Sequence, residues 1–458
     1  MEYALGVDLG TTHIAAAVNV DGRIEVVQLG DRHKEMPALI YLAEDGRTMV
    51  GDGAERNGRG DPSRLVREVK RRMGDPVSIL VGGAPFSAHA LLGRLLKHVV
   101  ETVTALYDGP PAHVVVTHPA NWGPYKREQL DQVFETAGLT GVETLTEPEA
   151  AAIHHAAGKR IAPGELIAVY DLGGGTFDAA VLRRTGTGYE MPGPPSGIEQ
   201  LGGMDFDEAV FGHVTRVLGA EVVGGGDADF VASVTRLRRD CVEGKESLSF
   251  DTEVQIPVAL PGFHTRVRMT RAEFEALITP ALDDTVEALG RAIRGAGVTA
   301  DDISMVLLSG GSSRIPLVTQ VITAGYARPV AQDPHPEHSI AMGAALVAGQ
   351  SLLSFGAPTS DAPPFDAPIG DATIALPPPL PKATVRATAP SPDSTQEFAL
   401  TGPTPPDADA ELRRRQRIAL IAAIVIVLIG AIGGVALALQ GRDDVRPAGT
   451  SSPVTTGR

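Results

Sequence analysis

The chain has 458 residues, 43% hydrophobic and 21% charged, enough apolar surface for a sizeable core. Its formal net charge of −16 argues against nucleic-acid binding, which needs clustered Lys and Arg to neutralise phosphates. A lone cysteine, Cys241, excludes an intrachain disulfide and reads as a small, partly buried helix residue.

In chain order, the start "MEYALGVDLG" has neither a basic n-region nor a long apolar h-region, so no signal peptide is expected. "YALGVDLG", "HIAAAVNV" and "IEVVQLG" read as three short strands with a turn at Asp21-Gly22. "HVVVTHP" is an apolar strand ending at Pro119, and "KREQLDQVFETAG" is a helix closed by Gly138. "GELIAVYDLGG" and "FDAAVLRR" form a second strand pair. Thr270 and Glu273 read as a capping box opening a helix whose apolar face is Phe274, Leu277, Ile278, Leu282, Val286 and Leu289. "ISMVLLSGG" is a buried strand running into a glycine turn. Strands and helices alternate as in an α/β fold.

The composition changes near residue 353. Residues 353–410 are rich in Pro, Ala, Ser, Thr and Asp and are expected to form an extended, disordered linker. Within 411–440 the uncharged run Ile418–Leu439 is ~22 residues, long enough for one transmembrane helix. Arg413, Arg414, Arg415 and Arg417 precede it, so the positive-inside rule places the large N-terminal region in the cytoplasm and the 441–458 tail outside the cell membrane.

An internal repeat carries the chemistry. "GVDLGTTHIAAAV" and "VYDLGGGTFDAAVL" share a strand-end Asp, a Gly/Thr turn and a following apolar strand, which suggests two similar lobes facing one cleft. Gly10-Thr11-Thr12 and Gly173-Gly174-Gly175-Thr176 can offer successive backbone N–H groups and hydroxyls to phosphate oxygens. Asp8 and Asp171 beside them suit Mg²⁺ held through water, whereas Asp178, beyond the turn, reads as structural. A third turn, "LLSGGSSRIP", adds Arg314, whose planar guanidinium can stack on a base. One such turn alone says little; three in this order are specific.

These stretches resemble the nucleotide-binding domain of the heat-shock protein 70 (DnaK-type) family, of the actin-like ATPase superfamily, over residues 1–352. "VKRRMG", "VVVTHPANW", "TEPEAAAI", "LGGMDFD" and "HPEHSIAMGAALVAG" match further family segments in the right order. The resemblance implies two ribonuclease H-like lobes, with ATP and Mg²⁺ as cofactors and slow ATP hydrolysis. By that resemblance Lys70 is the catalytic lysine beside the γ-phosphate and attacking water. Glu147, Asp171 and Asp8 organise Mg²⁺, and Thr11, Thr12 and Gly173 to Thr176 hold phosphates. Pro119 and Arg127 form a switch that relays the nucleotide state, and Gly202 and Gly203 are the second lobe's phosphate contact. Gly310, Gly311, Ser312 and Arg314 form the adenosine pocket, with Lys245 and Ser249 on its other wall.

There are departures from the family pattern. Val242 and Glu246 stand where Glu and Arg are usual around the adenine, and His13 replaces a small polar residue. The segment between Val50 and Val114 is shorter than usual, which trims a peripheral subdomain. No peptide-binding domain is expected after residue 352. The 12 histidines show no metal-ligand spacing, so His154, His155, His335 and His338 read as ordinary surface or satisfied residues. The reading that results is a membrane-anchored, nucleotide-dependent switch or chaperone-like factor with an unknown protein partner. Its alternatives are an actin-like filament protein and a binding-only scaffold at the membrane.

Overall fold

A computed structural model describes residues 2–159, 161–219 and 228–356. The chain divides into two units, Met1–Pro364 and Phe365–Arg458, and every described residue belongs to the first. The Pro-rich segment from residue 357 onward, the apolar run 418–439 and the tail lie outside the described residues. Among the described residues, no helix is long and apolar enough to cross a membrane.

The apolar, β-branched runs become two six-stranded sheets of matching topology. In the first, Ala4–Leu9 pairs antiparallel with His13–Val20, which pairs antiparallel with Arg23–Val26. The Asp21-Gly22 turn has φ of 51° and 84°. Positive φ at both positions gives the turn the twist that two right-twisted strands need. On its other edge Ala4–Leu9 pairs parallel with His113–His118, which pairs parallel with Glu143–Thr146. The second sheet repeats the plan. Leu166–Leu172 pairs antiparallel with Phe177–Arg184, and its other edge pairs parallel with Ile303–Ser309, followed by Val330–Gln332. This mixed α/β architecture is consistent with actin-like ATPase lobes, and the internal repeat is structural as well as sequential.

Each sheet has its own core. Tyr3, Leu5, Val7 and Ile14 are buried with Leu91, Leu95, Val99 and Val133 in the first. Tyr170, Phe177, Phe206 and Phe274 anchor the second. The Arg271–Gly295 helix opens on the expected capping box: Glu273 accepts from the Thr270 N–H at 2.8 Å, and Thr270 Oγ1 accepts from the Glu273 N–H at 3.2 Å. Its predicted stripe faces that core, with Phe274, Ile278, Leu282 and Leu289 buried and Leu277 and Val286 partly so. Cys241 is fully buried, and burial pushes its thiol up to about 12, so it is an inert core residue.

The chain passes from the first sheet to the second through the Glu147–Gly158 helix and returns through the Ser339–Gly356 helix. The two helices pack on each other, and the second also lies against Ala4–Leu9 and His13–Val20. Ala341, Ala344, Ala345 and Ala348 are buried at these contacts. Small side chains let the backbones approach until a methyl group no longer fits. A Cβ on Gly343 would lie 1.9 Å from the Ala150 carbonyl oxygen. Gly343→Ala is therefore expected to lower unfolding stability by about 1–3 kcal/mol through overpacking. Gly212→Ala, in the Gly203–Leu218 helix with open space around it, should instead raise it by about 0.4–1 kcal/mol. Denaturant titration of both variants checks the contrast.

Candidate functional site

The site forms where the two repeated hairpins face each other. Asp8 lies near the end of its strand, and Thr117 on the parallel neighbour donates to its Oδ1 at 3.3 Å. Asp171 occupies the matching place in the second sheet, at the carboxyl end of a parallel strand where α/β folds gather ligands. Glu147 is the first residue of its helix, directly after Thr146. Glu149 closes the capping box by accepting from the Thr146 N–H at 3.4 Å, and also accepts from Thr146 Oγ1 at 2.5 Å, which fixes the helix start and the place of Glu147.

Lys70 reaches the cleft from a single 3₁₀ turn, Val69–Arg72. Glu68 before it adopts φ of 57°, a left-handed conformation that turns the chain toward the cleft. Lys70 Nζ donates to Glu147 Oε1 at 2.6 Å, and both side chains are buried. Burial alone would pull the ammonium down. Glu147, Asp8 and Asp171 more than offset it, so Lys70 is held above its ordinary pKa. One cation is therefore set among several carboxylates. Burial first, then the charge of Glu147, pushes Asp8 up to about 6 and Asp171 up to about 8, against the pull of Lys70. Burial holds Asp178 well above its ordinary range too, and its Oδ1 has no hydrogen-bond partner among the described residues. Asp178 thus feels the charges of Glu147 and Asp171 as well as its own burial. Hard oxygen donors with excess negative charge and an unmatched buried oxygen fit Mg²⁺ held by Asp8, Asp171 and Glu147.

The Gly-rich loop supplies a complementary surface. Gly173 O accepts from the Gly203 N–H at 3.0 Å and from Ser312 Oγ at 2.9 Å. Gly174 O accepts from the Met204 N–H at 2.8 Å, and Gly175 O accepts from Arg71 Nε at 2.8 Å. All three carbonyls are tied back. The N–H groups of Gly174, Gly175 and Thr176 have no hydrogen-bond acceptor among the described residues. Such a run of free donors is an anion-binding nest.

The bareness of this loop has a second cause besides phosphate. A Cβ on Gly174 would meet Thr12 Oγ1 at 2.2 Å, and one on Gly175 would meet Thr11 Cγ2 at 2.5 Å. The two loops meet directly across the cleft, so glycine is required by loop-on-loop approach.

The remaining predicted residues divide into those at the site and those beside it. Lys70, Pro119, Thr176 and Asp178 line one small cleft with Arg71, Asn121, Trp122, Lys126 and Glu199. Gly202 abuts the Gly174-Gly175 backbone. Lys245 pairs with Asp207 at 2.8 Å and donates to Gly203 O at 3.3 Å, which joins the Ala228–Ser247 and Gly203–Leu218 helices. Ser249 is half-buried just beyond the former helix. Gly310 to Arg314 form a turn pinned to the Gly-rich loop through Ser312. Arg314 is held by one edge: its Nη2 donates to Glu337 at 2.7 and 2.9 Å and to Pro334 O at 3.2 Å. Arg127 stands exposed on the Pro124–Ala137 helix, outside the cleft lining.

Two side chains at the site escaped sequence reasoning. Arg71 also bonds Asp205 Oδ2 at 3.2 Å and Glu68 Oε2 at 3.1 Å, so it clamps the second lobe's loop from the first lobe. Lys126, next to Arg127, reaches Glu199 at 2.7 Å across the same cleft. Their only sequence signal was adjacency to residues already singled out.

The raised carboxylates set a pH dependence. Between roughly pH 4 and pH 8 the folded protein holds protons that the unfolded chain has released, so stability without a divalent cation falls as pH rises through that window. Unfolding in EDTA should show this fall, and Mg²⁺ should restore stability at pH 8 while doing little at pH 5. Lys70→Met leaves the carboxylates unmatched and should cost about 3–5 kcal/mol at pH 8, with a smaller loss at pH 5.

Residues 4–80 and 75–354 match the family model described as Hsp70 protein. The chain is 30% identical over 358 residues to the chaperone protein DnaK of Methanothermobacter thermautotrophicus, covering 76% of the chain and 60% of that relative. It is 28% identical over 360 residues to the chaperone protein DnaK of Thermotoga petrophila, covering 76% and 59%. The chain thus matches about 60% of the length of these curated relatives.

Proposed function

The chain belongs to the heat-shock protein 70 family, and on that basis we propose that it binds ATP with Mg²⁺ between its two sheets and hydrolyses the ATP slowly. One observation carries this reading. The nest at Gly174 to Thr176, its carbonyls tied back, lies beside a carboxylate cluster that contains only one buried ammonium. That surface offers donors to phosphate and oxygens to a cation at the same place.

Thr11, Thr12 and the Gly174 to Thr176 amides hold the phosphates, with Gly202 and Gly203 behind the loop. When bound, Mg²⁺ neutralises charge on the terminal phosphates, and Asp8, Asp171 and Glu147 would hold it through water. Lys70 keeps its proton because neighbouring carboxylates raise its pKa. It therefore acts as a fixed positive donor for the γ-phosphate and the attacking water, not as a base. A carboxylate of the cluster receives the proton that the water loses. The rate gain comes from positioning and charge stabilisation in a dry site.

Arg71 and the Lys126–Glu199 pair cross the cleft, so lobe closure registers at the Pro119 wall. This supports a nucleotide-dependent switch whose state is read by another protein. The apolar run 418–439 behind Arg413 to Arg417 supports a single-pass membrane anchor with the nucleotide site on the cytoplasmic side.

The purified chain should bind ATP in the presence of Mg²⁺ and release phosphate slowly. Lys70→Ala should lower turnover by ~10² or more while ATP binding persists. Unchanged hydrolysis in this variant would remove Lys70, and with it the assigned site, from the reaction.

A further inference from the structure

The turn at 333–338 carries the return crossing from the second sheet to the Ser339–Gly356 helix. It brings together three potential metal ligands that sequence spacing alone did not suggest. His335, Glu337 and His338 each place a donor atom within 4.8 Å of the others. His335 Nδ1 lies 3.7 Å and His338 Nδ1 4.0 Å from Glu337 Oε1. Around a tetrahedral ion with bonds near 2.1 Å, neighbouring ligand atoms stand ~3.4 Å apart. The two distances to Glu337 need to shorten by only ~0.3–0.6 Å to reach that spacing.

We propose that His335, Glu337 and His338 form a site for one divalent transition-metal ion of the zinc class, with Glu35 as a positioning residue for His338. The groups behind the ligands support this. His338 is buried, and its far ring nitrogen, Nε2, lies 2.8 Å from Glu35 Oε2. That leaves Nδ1 directed at Glu337, the carboxylate–histidine arrangement that orients metal-binding imidazoles. Glu337 is itself held by Arg314, as ligating carboxylates usually are by a hydrogen-bond donor. Pro334 and Pro336 flank His335 and limit the turn's freedom, while the Asp333 carboxylate accepts from the His335 N–H at 2.8 Å. His335 is exposed and leaves the ion open to water at the remaining position.

The donor set also separates this site from the Mg²⁺ cluster. Two imidazoles and one carboxylate favour zinc, cobalt or nickel, whereas the cleft presents oxygens alone. Glu35 lies just before Met36–Pro37, a segment paired to the first sheet. A metal here would brace the return crossing against the first lobe, next to the Arg314 wall of the nucleotide pocket.

The test uses the full chain with Mg²⁺ in excess, titrated with Co²⁺ and followed by its visible ligand-field bands. The expected result is one saturable equivalent with a four-coordinate spectrum, displaced by Zn²⁺ and unaffected by Mg²⁺. His335→Ala, an exposed change that spares the fold, should abolish the spectrum, as should His338→Asn. Glu35→Gln should keep the stoichiometry and weaken affinity ~10–100-fold. Absence of saturable Co²⁺ binding, or binding that survives His335→Ala, overturns the site. Unaltered affinity in Glu35→Gln overturns the role given to Glu35. Nucleotide is left out of the titration, so the result stands apart from whether the cleft hydrolyses ATP.

Discussion

One buried ammonium faces a set of carboxylates drawn from both sheets. Lys70 is bonded to Glu147, and the charges of Asp8 and Asp171 act on it from the two sheets. Removing such groups from water is costly unless charges are matched. Here they are only partly matched: burial, and after it the neighbouring carboxylates, raises Asp8 to about 6 and Asp171 to about 8 against the pull of Lys70. The fold holds these groups in place against their repulsion because each sits on an element fixed elsewhere. Two lie at strand ends, one at a capped helix start, and one on a turn anchored by buried Val69 and Met73. A site held short of positive charge is prepared for a cation.

The same economy of space governs the crossings between the sheets. The Glu147–Gly158 helix carries Glu147 at its first residue, and the Ser339–Gly356 helix presses a glycine against its Ala150. Helices packed this closely couple the charged cluster to the return crossing. Arg71 and Lys126 add polar links across the cleft itself. Relative movement of the two sheets must therefore act on the crossings, the Gly-rich loop and the Pro119 wall together.

Much of this was legible in the sequence, for local reasons. The Asp21-Gly22 turn, the Thr270–Glu273 box and the strand-end aspartates depend on residues within a few positions of one another, and each formed as read. The residues that escaped depend on distant partners. Arg71 meets its partners Gly175 and Asp205 only through the fold, from more than a hundred residues away. A strand position alone likewise does not reveal that the buried Asp178 Oδ1 lacks a donor. Arg314 showed its stacking plane in sequence but not Glu337, which holds its edge.

Lys70 and Glu147 came from the family resemblance; by itself the sequence determined the two repeated hairpins with their Gly/Thr turns and strand-end aspartates. Those properties follow from residue type and short spacing, which act wherever the backbone folds. Only the tertiary structure decided how the charges balance, because pKa values depend on burial and on through-space neighbours. It also decided why the glycines are bare, since Thr11 and Thr12 approach them from the other lobe. The return turn follows the same rule. His335, Glu337 and His338 are ordinary in sequence, and become a set of converging donors only when Glu35 and Arg314 close around them.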